Sequence, residues 1–332
     1  MTDTKERCLV PFARPYHGGC EGVNLIADRI AWMLNGEGRE SNGENCRELE
    51  ERVRRISGAD YAITTNNCTN AMMIMLATCA RDKVRLGQLP SFTWPSTLIA
   101  MNAQKYPEGI VLHDIDYETW TVKSYPYHSH PAIALAVDTF GNDTNPISEV
   151  PLFFDRAHSL GVKFREIGLA SALSFSRSKL VTGGEGGMIL TNRKAFVQAM
   201  VNARDMTCRM DEKQAIEVLV SMGYLPEMLE WKRETYDRYK QAFPMFAFQQ
   251  GQNWNHQVIG MLLESHEQQD KLIKECTGIE FKAYYEPIHT KFKYKTSLPV
   301  TEDISRRIIA LPSWYKCDRD YIIRRIKETL EL

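Results

Sequence analysis

Residues 174–190, SFSRSKLVTGGEGGMIL, place one amine, Lys179, in a polar turn between two apolar runs, LASALSF (169–175) and GMILTN (187–192). Four glycines follow it (Gly183, Gly184, Gly186 and Gly187), interrupted only by Glu185. A lysine at a strand end, partly removed from water, has a lowered pKa and can attack a carbonyl carbon. Glycines beside it would let backbone approach a bound cofactor. The same residues also read as a β-hairpin with a glycine-rich loop and a solvated lysine. The rest of the chain has to separate the two.

Three other stretches carry chemistry at the ends of apolar runs. YAITT (61–65) leads into NNCTN and a helical pattern, so Cys68, Thr69 and Asn70 fall at a helix N-terminus. Free N–H groups and the helix dipole suit a phosphate there, although Asn67 or Thr69 would also serve as an ordinary cap. PSFTWPST puts Trp94 after a strand and before a helix opened by Pro95, where an indole could stack on a flat ring or fill a core. LFFDRAHS ends a buried run with Asp155, and His158 follows three residues later. A carboxylate after an apolar run needs a cation or strong donors, or else caps the next turn. Ser174, Ser176 and Ser178 surround Lys179. Pyridoxal phosphate (PLP) wants all of these: an amine, a carboxylate for its ring nitrogen, a stacking aromatic and a phosphate cradle.

The elements that must position these residues alternate. Seven strand-like runs occur between residues 60 and 192: YAITT, VRLGQLP, GIVLHDI, AIALAVDTF, VPLFFD, ASALSFS and GMILTN. Several are continuously apolar and helical patterns separate some of them, which predicts an α/β fold with a buried, mostly parallel seven-stranded sheet. In such sheets ligands sit at the carboxyl ends of the strands. NLIADRIAWMLN and CRELEERVRRIS predict helices before the sheet; RKAFVQAMVNARDM, EKQAIEVLVSM and MLEWKRETYDRYKQAF predict helices after it. From about 244 the texture changes to a small α+β unit, so a large cofactor-binding domain is expected over 1–243 and a small C-terminal domain over 244–332.

Composition excludes several classes. The net charge of −1 gives no electrostatic case for nucleic acid or an anionic membrane surface. No apolar run approaches the roughly 20 residues that span a bilayer, and the start, MTDTKERCLVPF, has no signal-peptide core, so a cytoplasmic protein is expected. The eight cysteines (8, 20, 46, 68, 79, 208, 276 and 317) include no C-x-x-C pair, and neither a metal site nor a disulfide framework is expected.

The chain resembles the DegT-type (DegT/StrS) sugar-nucleotide aminotransferases, PLP enzymes of fold type I, the aspartate aminotransferase-like fold. The resemblance rests on VPFARPYHG, ESNGENCRELEERV, YAITTNNCTNAM, PSFTWPSTLIA, HDIDYETWTV, FFDRAHSLG, SFSRSKLVTGGEGGMILTN, CRMDEKQA and YEPIH, in the family's order over nearly the whole chain. It implies that Lys179 is the Schiff-base lysine and proton shuttle. Asp155 pairs with the pyridinium nitrogen, His158 lies beside the ring's 3-hydroxyl, and Trp94 stacks on the ring. Ser174 and the turn at Cys68 and Thr69 contact the phosphate. Gly184, Glu185 and His289 are similar to segments near the sugar-nucleotide pocket. The implied reaction moves an amino group from L-glutamate to a nucleotide-linked keto sugar in a homodimer with shared active sites. Dehydratases of the family have histidine in place of the lysine, so Lys179 argues against that activity; a non-catalytic PLP-binding regulator is the other alternative. Two departures stand out. TCRMDE replaces the family's N-Y-R-M-S-E, so Thr207 stands where an asparagine from the neighbouring subunit would reach the phosphate, and Arg209 is a candidate replacement. VDTFGNDTNPISEVPLFFD is too short to hold the helix that normally separates its two strands.

Overall fold

The structure is a computed structural model and describes residues 10–79 and 84–332. Cys8 and most of the N-terminal stretch lie outside the described residues. All seven apolar runs are strands of one sheet: β1 (Tyr61–Thr65), β2 (Leu86–Pro90), β3 (Ile110–His113), β4 (Ala132–Val137), β5 (Leu152–Asp155), β6 (Ser171–Ser174) and β7 (Gly187–Thr191). Their spatial order is β1-β7-β6-β5-β4-β2-β3. The pairs β2–β3, β2–β4, β4–β5 and β5–β6 are parallel. β7 is antiparallel to both β1 and β6, so β1 runs in the sense of the other five. Six carboxyl ends therefore open on one edge.

Both faces of the sheet are buried, which is why its strands are apolar without a break. Ile133 and Leu135 of β4 pack with Phe153 and Ile189 against Met72, Met75 and Leu76 of the helix Cys68–Cys79 and Met101 of the helix Pro95–Asn102. The alternate residues Ala134 and Ala136 face Trp120, Phe140, Phe154, Ile304 and Ile308. Leu173 and Met188 pack on Leu49 and Val53 of the helix Glu44–Ser57, and on Val218 and Leu219 of the helix Glu212–Met222.

A three-stranded sheet, Ala247–Phe248, Ile259–Leu262 and Ile308–Leu311, forms the second layer of β structure. Its core joins Ile259, Met261 and Ile309 to Leu272, Ile322 and Ile326 of two flanking helices, and also to Tyr239 and Phe243. Tyr239 belongs to the helix Leu225–Ala242, so that helix and the small sheet share one core across residue 244. Between β4 and β5 the chain holds only a short 3-10 turn, Thr139–Gly141, and one strand of a two-residue ribbon, Ile147–Ser148. Among the described residues no helix is long and apolar enough to cross a membrane.

Candidate active site

The carboxyl edge of the large sheet forms one pocket of about 320 Å³, within the range of small-molecule sites. Five strand ends supply it. β1 leads to Asn67, Cys68 and Thr69; β2 to Thr93, Trp94 and Ser96; β4 to Asp138; β5 to Asp155 and His158; β6 to Ser174, Ser176, Ser178 and Lys179. Glu185 also lines it, and Tyr284 and Tyr285 close it from the C-terminal part. Lys179, Asp155, His158, Cys68, Thr69, Trp94, Ser174 and Glu185 thus meet in one place, although up to 117 residues separate Cys68 from Glu185.

Asp155 ends β5 at 5% exposure. One carboxylate oxygen accepts from Thr97 Oγ1 at 2.8 Å and the other from the Ala157 N–H at 3.1 Å. Thr97 is itself tied to Thr93 Oγ1 at 2.9 Å. These donors are neutral. Burial pushes the carboxyl above its ordinary range; the Thr97 and Ala157 hydrogen bonds and the Lys179 charge offset this in part. Chain turns, not a helix, follow Asp155, and the bond from Ala157 makes it a local turn residue as well as a pocket wall.

Lys179 is partly buried at the far side of the β6 turn, its N–H donating to Ser176 O at 2.9 Å. Burial lowers its pKa, countered by Cys68, Asp155 and Glu185. Burial also holds His158 well below its ordinary value, helped by the charges of Lys179 and Lys232, so its imidazole is neutral. The Cys68 thiol is raised well above its ordinary value by burial and by Asp155, which keeps it a thiol rather than a nucleophile. Trp94 is 59% exposed at the pocket mouth, edge-on to Tyr285 with centroids 6.5 Å apart.

The donor set fits pyridoxal phosphate. A buried carboxylate with only neutral donors would be completed by a protonated ring nitrogen. The exposed indole offers a stacking face. The first-turn N–H groups of Cys68 and Thr69 have no partner within their helix, and Ser174, at the end of β6, lines the same pocket. Asn67 supplies the cap, accepting from Asn70 N at 2.8 Å.

The glycines do something different from the expected approach to a cofactor. A Cβ on Gly187 would sit 2.4 Å from the Asn67 carbonyl carbon, and one on Gly183 would sit 2.4 Å from Gln214 O. They let protein backbone pack on protein backbone, pressing β7 against the turn that opens the helix Cys68–Cys79. Gly184 has φ +74° and is not part of the pocket wall. His289 also lies elsewhere: buried, it bonds Ser91 Oγ at 2.7 Å and Glu302 at 3.2 Å, and lines a separate cavity that also touches Tyr285. Arg209 is outside this pocket, its side chain 54% exposed and 3.9 Å from Asp205. The Cys208 carbonyl before it accepts from Asn66 N at 2.9 Å, so this segment abuts the Cys68 turn. Thr207 Oγ1 turns back to Ala203 O.

The sequence reading missed Asp138, Tyr284 and Tyr285. Asp138 was findable, because it directly follows β4, one residue past the Val137 that pairs with Asp155 at the end of β5. It is held by the fully buried Arg156 at 3.0 Å, whose guanidinium also reaches Asp143 at 3.2 Å and lies between the Phe154 and Phe164 rings. Burial lifts the Asp138 carboxyl to about 7 against the pull of Arg156. The two tyrosines reach the site only through long-range docking of the C-terminal part.

Residues 22–129, 143–208 and 197–330 match the DegT/DnrJ/EryC1/StrS aminotransferase family. The chain is 23% identical over 325 residues to a GDP-perosamine synthase of Escherichia coli O157:H7, with 85% of this chain and 88% of that protein covered. It superposes on DesI, solved in the presence of its TDP-sugar product, with a TM-score of 0.83 at 21% identity, covering 97% and 92% of the two chains. It superposes on the E. coli GDP-4-keto-6-deoxy-D-mannose-3-dehydratase, solved with hydrated PLP, with a TM-score of 0.81 at 15% identity, covering 97% and 99%. With the family match spanning most of its length, the chain belongs to the DegT/DnrJ/EryC1/StrS aminotransferase family and is an aminotransferase of the PLP-dependent kind.

Proposed function

We propose that this protein binds pyridoxal phosphate at the carboxyl edge of its large sheet and transfers an amino group from L-glutamate to a keto sugar carried on a nucleotide. One observation carries the reading: Lys179 lines the same pocket as a buried carboxylate, Asp155, that has no cationic partner among its hydrogen bonds, and an exposed indole rims that pocket. When bound, the cofactor supplies an electrophilic carbon for the amine and a ring that accepts electron density from the reacting carbon. Asp155 holds the proton on the ring nitrogen. Cys68, Thr69 and Ser174 would hold the phosphate, and Trp94 would offer its indole to the ring. His158, neutral, is a hydrogen-bonding partner rather than a charge. Lys179, its pKa lowered by burial, would be the base that takes a proton from the substrate carbon and, once protonated, the acid that gives it back.

The division of labour between a large domain over 1–243 and a small one over 244–332, and assembly as a homodimer with shared sites, complete the proposal. Sugar dehydratases share the fold, and Lys179 is the residue that favours amine transfer over that reading. The relatives' names carry both GDP- and TDP-linked sugars, so both nucleotides belong in the test. Borohydride reduction of the cofactor-loaded protein, followed by peptide mapping, is expected to place the label on Lys179. Incubation with L-glutamate and a panel of GDP- and TDP-linked 3-keto and 4-keto sugars is expected to give one aminated product by mass spectrometry. A label on another lysine, or no aminated product, would overturn the reading.

A further inference from the structure

Lys179 is held from both sides by one side chain that belongs to neither the large sheet nor its loops. Gln257, 6% exposed, lies on the segment entering the strand Ile259–Leu262. Its Oε1 accepts from the Leu180 N–H at 2.6 Å, and its Nε2 donates to the Ser178 carbonyl at 3.0 Å. The two peptide groups flanking Lys179 are thus closed onto a single amide.

That amide is itself anchored. Gln257 N donates to Asn255 Oδ1 at 2.9 Å, and the Gln257 carbonyl accepts from the buried Lys232 Nζ at 2.8 Å, which also donates to Ser313 Oγ at 2.8 Å. Asn255 in turn donates to the carbonyls of His158 at 2.7 Å and Leu160 at 2.8 Å. The one segment therefore holds the turn that carries Lys179 and the turn that carries His158. A buried amide with both polar ends satisfied rigidifies what it touches. Replacing it leaves the buried Leu180 N–H and the part-buried Ser178 carbonyl without that partner.

The geometry points to Gln257 as a positioning residue that sets the place of the Lys179 amine and keeps it partly out of water. The inference rests on the proposed role of Lys179 and deepens it. A loosened turn lets the amine reach solvent, which moves its pKa toward that of an ordinary lysine. It also displaces the proton-transferring group, and a displacement of about 1 Å can cost on the order of a hundredfold in rate.

The test compares wild type, Gln257→Leu and Gln257→Glu. In cofactor-free protein, reductive methylation of Lys179 is followed against pH by peptide mass spectrometry. In PLP-loaded protein, the single-turnover reaction with L-glutamate gives a rate constant and a half-saturating concentration. For Gln257→Leu the methylation midpoint is expected to rise toward that of an exposed lysine. Its rate constant is expected to fall about ten- to a hundredfold with the half-saturating concentration unchanged. Gln257→Glu keeps the acceptor for Leu180 but sets an oxygen against the Ser178 carbonyl. It should show the same loss at neutral pH and recover at acid pH, where the protonated carboxyl can donate again. A wild-type midpoint and rate in either folded variant overturns the inference, as does failure of both variants to fold, which would make Gln257 a folding residue. Wild-type protein that takes no borohydride label at Lys179 would instead overturn the function proposed above.

Discussion

Replacing Asp155 by asparagine separates a cofactor-holding carboxylate from a turn-capping one. The side chain is isosteric, and the local network can accept it. Asn Oδ1 can still receive the Ala157 N–H, now at 3.1 Å, and its amide can donate to Thr97, whose hydroxyl is free to reverse toward Thr93. Burial disfavours the ionised carboxylate in the cofactor-free protein, so removing the charge does not weaken that state. The expected change in urea-unfolding free energy of cofactor-free protein is within about 1 kcal/mol. With cofactor the balance reverses. The lost interaction is a charge-assisted hydrogen bond to the ring nitrogen, worth about 1.5–3 kcal/mol. At 1.4 kcal/mol per factor of ten, that is a loss of roughly ten- to a hundredfold in the single-turnover reaction with L-glutamate. The assay is stopped-flow loss of the yellow cofactor band, with the reduced lysine peptide as proof that Lys179 is still linked. A folded, labelled Asp155→Asn protein that reacts at the wild-type rate would refute the argument and leave Asp155 as a turn residue only.

Gly187→Ala brings a methyl to 2.4 Å from the Asn67 carbonyl carbon and 2.6 Å from Cys68 N; backbone must move, at a cost of about 1–3 kcal/mol in urea unfolding, with faster cofactor loss on dilution because the Cys68–Thr69 turn is displaced. Lys232 falls from its ordinary 10.5 to about 8 through burial. The folded state then binds fewer protons than the unfolded one between those values, so stability rises with pH across that window. Wild type should gain about 3 kcal/mol over Lys232→Met between pH 8 and 10.5 in urea melts; a constant gap would mean Lys232 is not depressed. For Arg209, mixing inactive Lys179→Ala with Arg209→Ala and letting subunits exchange should restore part of the activity if Arg209 acts across a dimer interface, and none if it acts within its own chain. A monomer in sedimentation would remove the shared site altogether.

Much of the fold was legible because its signals are local. A strand buried on both faces must be apolar along its length, and YAITT, AIALAV and LFFD show that without reference to anything distant. The helix starts at Cys68 and Pro95 follow from a cap and a proline within a few residues. Lys179, Asp155, His158, Trp94, Cys68 and Ser174 converge because each lies at a strand's carboxyl end. A largely parallel sheet puts all such ends on one edge. Local spacing of apolar runs and polar ends therefore selects which residues stand at that edge.

What presses on those residues depends on contacts between distant parts of the chain. Gly183 and Gly187 are glycines because backbone from residues 214 and 67 passes within contact of them, a fact no local spacing encodes. His289, in YEPIH, follows two tyrosines that line the pocket, yet its own ring turns to Ser91 and Glu302 in another cavity. Gln257, in the unremarked stretch WNHQVIG, reaches a lysine turn 78 residues earlier. Periodicity and capping record a residue's neighbours within a few positions. Contacts across the chain arise when separately buried faces dock, and their partners are chosen by shape and by the need to pair every buried polar group.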